Sequence, residues 1–207
     1  MGKLKVAVFF SGGGSTLQNL IDHIRNGTLD ADINWTLSSR AGVDGIRKSE
    51  EAGIPCLVVP RKEFDSHKSF SEKINEHLRD NPVDLIVLAG FMSLYHFPPE
   101  YNRRVVNIHP ALIPAFCGLG MYGHHVHEAV IQSGVRLTGA TVHFADNEYD
   151  RGPIIIQETV PVLDEDTPDT VAERVQELER KIYPQAIQLI AEDRIRVEGN
   201  RVKIRVP

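Results

Sequence analysis

The sequence predicts an α/β fold: a mostly parallel sheet with helices on both faces, and antiparallel strands toward the C-terminal part. Apolar runs of four to eight residues alternate with longer helix-period segments as far as Gly134. A strand that returns to its sheet through a helix comes back parallel, so strict alternation selects parallel pairing. A glycine-rich turn directly follows the first apolar run, where such sheets gather their ligands. Beyond Gly134 two strand-like runs follow one another across a short polar loop, as in an antiparallel pair.

The elements read in order. KVAVFF (5–10) is the first strand, and Leu17, Leu20, Ile21 and Ile24 give the first helix its apolar stripe, ending near Gly27. INWTLSS (33–39) precedes the helical AGVDGIRKSEEAG, and CLVV (56–59) precedes the helical FDSHKSFSEKINEHLRD. DLIVLAGF (84–91) leads through a Pro-rich turn to VVNIHPALIPAF (105–116). LTGATVHFA and PIIIQETVPVL form the antiparallel pair. In the helix that follows, Thr167 is the N-cap, Pro168 takes N1, and the stripe runs Val171, Val175, Leu178, Ile182. Pro184 is expected to kink or break this helix near Tyr183. RIRVEGNRVKIRV closes the chain as a hairpin over Gly199-Asn200. With no repeat, low-complexity tract or linker, the chain reads as one Rossmann-like domain over 1–207.

Composition narrows the function. Of 207 residues, 42% are hydrophobic and 25% charged, the balance of an ordinary soluble protein. No apolar run is long enough to span a bilayer, and the first apolar run enters a glycine turn, unlike a signal peptide. Cys56 and Cys117 are too few for a disulfide framework and suit a reducing cytoplasm. A net charge of −5 argues against a broad nucleic-acid-binding face and leaves any small anionic ligand to local groups.

Gly12, Gly13 and Gly14, then Ser15 and Thr16, join the first strand to the first helix. Glycines let the backbone approach an anion, and the N–H groups and dipole of the helix start complete a phosphate site. Leu17 stands where a dinucleotide fingerprint needs its third glycine, and the Walker lysine is absent, so a monophosphate fits better than a pyrophosphate.

Asn107 and His109 lie two apart at the carboxyl end of a predicted central strand, so their side chains share a face. In isolation such a pair is more readily a loop cap and a satisfied buried histidine than a catalytic pair. At this edge an amide can hold an oxyanion while the imidazole moves protons. Asp150, in the loop between the antiparallel strands, is the third partner; a carboxylate there would orient the ring and raise its pKa. Its other reading is a turn residue before Gly152-Pro153. There is no Gly-x-Ser-x-Gly elbow, and Cys117 sits in a loop past two prolines, which points to direct transfer without a covalent enzyme intermediate. GHHVHEAV could gather His124, His127 and Glu128 on one helix, but Val126, Ala129 and Val130 form its apolar stripe. The histidines then fall on the solvated side, and no metal is expected.

SGGGST, NIHPALIP, ATVHF, YDRGPIIIQ and RVQELERKIYP, in this order and spacing, resemble the glycinamide ribonucleotide formyltransferase family from the first strand to about residue 195. The resemblance implies transfer of the formyl group of 10-formyltetrahydrofolate, a co-substrate, to the amine of 5-phosphoribosylglycinamide in purine synthesis. It implies that Gly12 to Gly14, Ser15 and Thr16 hold the phosphate and that Glu179 accepts from the ribose hydroxyls; periodicity alone makes Glu179 an exposed helix residue. It places the folate along Met92, Ser93, Leu94 and Tyr95, beside Asn107, and against the loop of Ala145, Asp146, Asn147, Glu148 and Tyr149. Residues 1–100 become a phosphate-binding half and 101–207 a catalytic and folate-binding half, in a monomer or homodimer that takes only small-molecule substrates.

Three departures stand out. Ser93 replaces a frequent arginine, His67 replaces the family's folate-contacting arginine, and CGLGMYGHHVHE is longer than the usual loop. Among other readings, the formyltetrahydrofolate hydrolases carry an N-terminal regulatory domain not expected here. A methionyl-tRNA formyltransferase needs a second, basic domain. A silent phosphosugar-binding module needs only the glycine loop, and the broken fingerprint disfavours a nicotinamide dehydrogenase.

Overall fold

The computed structural model describes residues 2–146 and 150–206. The chain divides into two compact units, Met1–Val106 and Asn107–Pro207. The sheet is mixed, parallel through the first unit and carrying antiparallel pairs in the second, as the sequence predicts.

In the first unit β1 (Leu4–Phe10), β2 (Ala31–Ser38), β3 (Cys56–Val58) and β4 (Leu85–Leu88) lie in the order β3-β2-β1-β4. Helices α1 (Ser15–Arg25), α2 (Asp44–Glu51) and α3 (His67–Asp80) make the crossovers. The order reverses between β1 and β4, which makes their carboxyl ends the switch point where such sheets place their ligands. The core explains why these runs are strands: Val6 to Phe10 and Leu85 to Val87 are buried almost completely, as strands covered on both faces must be. Phe9 anchors an aromatic cluster, with Trp35 and Tyr95 both 5.4 Å and Phe91 5.6 Å away between ring centroids.

In the second unit β5 (Val105–His109), which starts at the end of the first, is followed by α4 (His124–Ser133), β6 (Leu137–Phe144), β7 (Ile154–Pro161), α5 (Pro168–Ala191), β8 (Ile195–Glu198) and β9 (Arg201–Ile204). β6 and β7 pair antiparallel from Leu137↔Pro161 to His143↔Ile154, and β8 and β9 form the expected hairpin over Gly199-Asn200. β7 and β9 meet in parallel at Ile154↔Arg201. Helix α5 packs on α4, β6 and β7. Its N-terminus is the expected one: the Thr167 hydroxyl accepts from the Thr170 amide, and the Thr170 hydroxyl accepts from the Thr167 amide.

The expected break at Pro184 does not occur, and α5 runs unbroken to Ala191. Ile182, Tyr183, Ala186 and Ile187 are all buried, so the apolar stripe continues across the proline. Burying four such side chains outweighs the roughly 3 kcal/mol that an interior proline costs.

Gly139 in β6 shows how tightly the second unit is packed. A Cβ at this position would overlap the carbonyl oxygen of Glu158 and crowd the Leu112 side chain. Gly139→Ala is therefore expected to lose about 2 kcal/mol or more of stability. A shift of the urea midpoint to lower denaturant with unchanged slope checks this; an unshifted midpoint rejects it.

Candidate active site

The loop after β1 builds the first part of the site. Its backbone is drawn tight at both ends: the Ser11 amide donates to the Gly90 carbonyl at 3.1 Å, and the Ser11 hydroxyl meets that of Ser39 at 2.6 Å and accepts from the Met92 amide at 2.8 Å. Gly14 has φ 65°, a left-handed conformation that favours glycine, and a Cβ there would stand 2.8 Å from the Cα of Gly45. Gly45 must in turn be glycine, since its Cβ would meet the Phe10 ring at 2.5 Å. Glycine against glycine lets the first turn of α2 lie directly on the loop. Gly12 and Gly13 have open space where their side chains would be, so their backbone can be approached.

Helix α1 begins here with no side-chain cap and no acidic residue in its first turn. Its unspent N–H groups and its dipole both favour an anion. The Lys48 ammonium from α2 donates to the Gly13 carbonyl at 2.7 Å. The sequence concealed this cation, because Lys48 looks like any surface lysine of an amphipathic helix and is brought to the loop only by the Gly14–Gly45 contact.

The residues expected along the folate lie near this loop in part. The Met92 amide is tied to Ser11, and its side chain is exposed. Ser93 and Leu94 are half-buried. The Tyr95 ring faces the core, its hydroxyl donating to Asn75 Oδ1 at 2.6 Å, and burial raises its pKa. Only the backbone of Tyr95 is free to contact a ligand. His67 is exposed at the start of α3.

A separate cluster lies wholly in the second unit and brings Asn107, His109 and Asp150 together with a residue the sequence reading did not single out, His143. The Asp150 carboxylate sits between two imidazoles: Oδ2 is 3.7 Å from His109 Nδ1, and Oδ1 is 3.6 Å from His143 Nε2. Oδ2 also accepts from the Gly118 amide at 3.0 Å. His143 Nδ1 is 3.0 Å from the Phe144 carbonyl, an acceptor only, so Nδ1 carries the ring proton of the neutral form. Its Nε2 then accepts from Asn107 Nδ2 at 3.3 Å. That bond turns the Asn107 amide nitrogen inward and leaves its second N–H free to donate. His143 belongs to β6, in which every residue after Leu137 is buried. Within ATVHF it read as one more core position.

His109 Nε2 donates to the Phe116 carbonyl at 2.8 Å, and Nδ1 faces Asp150, so both ring nitrogens meet protein groups. Burial lowers the His109 pKa; Asp150 pulls it back up, as expected, but does not win, and the ring is below its ordinary value. The Asp150 carboxyl shows the opposite balance. Burial raises it, yet His143, the charge of His109 and the Gly118 amide together hold it below the usual carboxylate range. Asp150 and Phe116 both have left-handed backbones, φ 57° and 50°; an aspartate tolerates this, whereas for a phenylalanine it is strain. The Cys117 thiol is pushed up by burial and by Asp150, which makes it a poor nucleophile.

Ala145 and Asp146 follow β6 and are half-buried; Asn147, Glu148 and Tyr149 lie outside the described residues. Glu179 is on α5, half-buried, with no intramolecular hydrogen bond or ion pair among the described residues. Burial lifts its carboxyl to about 7, against a weaker opposing pull from Arg180.

Of the histidines of α4, His127 alone departs from expectation. His124 and His125 are exposed and ion-paired: His124 Nε2 is 2.9 Å from Asp169, His124 Nδ1 3.1 Å from Glu128, and His125 Nδ1 3.2 Å from Glu128. His127, expected on the solvated side, is buried beside Val126 and Val130, because α4 turns the 126–127–130 edge inward rather than 126–129–130. Among the described residues no group of His, Cys, Asp and Glu could hold a metal ion.

A phosphate-loop geometry in one unit and an amide–imidazole–carboxylate cluster in the other define a group-transfer protein of the α/β type. A formyl transferase family model matches residues 4–187, and the chain belongs to that family. The trifunctional purine biosynthetic protein adenosine-3 of Gallus gallus is 42% identical over 197 residues, 94% of this chain and 19% of that protein. The chain thus spans about a fifth of the trifunctional relatives it matches. The phosphoribosylglycinamide formyltransferase of Haemophilus influenzae is 36% identical over 198 residues, 95% of this chain and 91% of that one. The crystal structure of glycinamide ribonucleotide transformylase 1 from Symbiobacterium toebii matches with a TM-score of 0.90 at 37% identity, over 98% of this chain and 94% of that one.

Glu179 gives a testable consequence. A carboxyl raised on folding holds its proton longer in the folded state, so its contribution is most favourable below the unfolded value near 4.5 and is lost as pH rises toward 7. Glu179→Gln is therefore expected to gain stability relative to the parent between pH 5 and pH 8, by at most roughly 1.4 kcal/mol per pH unit. Urea midpoints of both proteins at the two pH values check this; parallel pH dependence rejects it.

Proposed function

We propose that this chain transfers the formyl group of 10-formyltetrahydrofolate to the amine of 5-phosphoribosylglycinamide, a step of purine synthesis. The observation that carries the reading is the Asp150 carboxylate set between His109 and His143, with Asn107 held by His143. The relatives named phosphoribosylglycinamide formyltransferase support the same substrate pair.

Amine attack on the formyl carbon makes a tetrahedral oxyanion. The free N–H of Asn107 donates to that oxygen. With its ring proton moved to Nδ1, toward Asp150, His109 releases Phe116, and the freed Nε2 takes the proton that the attacking amine must lose and returns it to the folate nitrogen as the carbon–nitrogen bond breaks. Asp150 stabilises the imidazolium in between, which matters because burial disfavours it. The unreactive Cys117 thiol supports direct transfer without an acyl-enzyme. In this reading the glycine loop, Ser15, Thr16 and Lys48 hold the phosphate, and Glu179 takes the ribose hydroxyls. The folate lies along the backbone of Met92 to Tyr95 and the segment from Ala145 to Tyr149. Two free cysteines fit a cytoplasmic setting, and the protein acts as a monomer or homodimer.

The test follows loss of the formyl group from 10-formyltetrahydrofolate with and without 5-phosphoribosylglycinamide. Loss only with the amine is expected; loss without it makes the chain a hydrolase, and none in either case makes it a binding module. His109→Ala and Asp150→Asn should each lower turnover by about 10²–10⁴ with little change in phosphoribosylglycinamide affinity. Near-parental turnover in both would sink the assigned roles.

A further inference from the structure

The loop that leaves β5 reaches the reaction centre twice, through the Phe116 carbonyl on His109 and the Gly118 amide on Asp150. Its first turn, residues 111–113, is clamped by two side chains that the transfer chemistry leaves unused. Thr141 on β6 and Gln157 on β7 stand directly opposite each other in the antiparallel pair. The fully buried Thr141 hydroxyl donates to the Ala111 carbonyl at 2.7 Å and accepts from the Ile113 amide at 3.2 Å. Gln157 is an exposed residue of β7, yet it spends both amide hydrogens on the clamp. Its Nε2 donates to the Thr141 hydroxyl at 2.9 Å and to the Ile113 carbonyl at 3.0 Å. One hydrogen and two lone pairs are all a hydroxyl has, so Thr141 is saturated. Gly139 lies two residues earlier on the same face of β6, and a Cβ there would come within 2.8 Å of the Leu112 side chain. Each residue of the turn is therefore held by β6 or β7.

The held turn leads straight to Phe116, since the Ala115 amide donates to the Leu112 carbonyl at 2.9 Å. Phe116 has φ 50°, a conformation that a phenylalanine keeps only where the surrounding structure over-determines it. Asp150 fixes the far side through the Gly118 amide at 3.0 Å, and the clamp fixes the near side. Between these anchors the Phe116 carbonyl meets His109 Nε2 at 2.8 Å.

We propose that Gln157 and Thr141 are positioning residues for the reaction: by clamping the turn they hold the Phe116 carbonyl against His109 and so set the orientation of the ring that moves the proton. The inference rests on the formyl-transfer reading above. A slack turn would change the titration of His109 as well as its aim. The Phe116 carbonyl favours the protonated ring, so its withdrawal lets His109 lose its proton at lower pH. The other titratable groups that face His109 are Asp150, His143 and, from α4, His127, and none is altered by the substitutions below.

His109 is titrated by NMR through its ring signals, assigned by their loss in His109→Ala, in the parent, Gln157→Leu, Thr141→Val and Thr141→Ser. The midpoint is expected at lower pH in Gln157→Leu and Thr141→Val, and at the parental pH in Thr141→Ser, which keeps the hydroxyl. Turnover should fall about tenfold in Gln157→Leu and further in Thr141→Val, with KM for both substrates within about threefold. The neutral ring is the base, so the acid limb of kcat/KM should move to lower pH with the NMR midpoint. Gln157→Leu alters an exposed position and decides the matter even where Thr141→Val fails to fold. Parental midpoint and turnover in Gln157→Leu overturn the proposal. So does a loss of turnover with an unmoved midpoint, or a loss that Thr141→Ser shares. A parent that transfers no formyl group overturns the reading above, while the NMR midpoints still decide the clamp.

Discussion

The reaction centre depends on one buried charge. Asp150 is a carboxylate with a side-chain exposure of 10%, and an ion so placed is costly unless its oxygens are met by donors. The Gly118 amide donates to one of them here, and the imidazoles of His109 and His143, which become cations on protonation, stand 3.7 and 3.6 Å from the carboxylate. Much else in the second unit can be understood as the means of keeping those partners in place. His143 is locked by the Phe144 carbonyl, and Asn107 is turned by His143. His109 is held by Phe116 from a strained backbone, and Gly118 follows two residues later with its amide aimed at the carboxylate. Removing the charge would leave each of these donors without its purpose.

The first unit solves a different problem with different means. It provides a place for negative charge without itself bringing in a buried ion. Gly12 to Thr16 offer backbone donors, and Lys48, on a neighbouring helix, brings a full charge against the loop, where the Gly13 carbonyl accepts from it. This suits a chain of net charge −5, in which local donors must act against an unfavourable overall field.

The legibility of the sequence followed the range of the interactions. Strand runs, crossover helices, the Thr167 cap and the final hairpin depend on neighbours within a few residues, and all were readable. So were the glycine loop and the Asn107–His109 pair, because glycine content and period-two spacing are local signals. Pro184 misled, since its effect depended on how the following turn of α5 was buried, which no local rule contains. His127 misled for a related reason: a stripe drawn through Val126, Ala129 and Val130 differs by one position from the edge that α4 presents to the core. His143 looked like a core residue because it is one, at 1% exposure, and only its contact with Asp150 makes it chemical. Lys48 meets the glycine loop through a contact 35 residues away, across a glycine pair that the residue pattern does not announce.

The glycine pair also bears on how this sequence can change over generations. Gly14 and Gly45 belong to separate elements; Gly45 occupies the space a methyl group on Gly14 would need, and the Phe10 ring occupies the space a methyl group on Gly45 would need. Neither can be replaced first, and no second substitution at the other position restores the fit, because glycine is already the smallest residue. Ordinary drift by single steps is therefore closed at both positions together. The distance between the loop and α2 becomes a dimension that descendants inherit unaltered, while the residues around it remain free to vary.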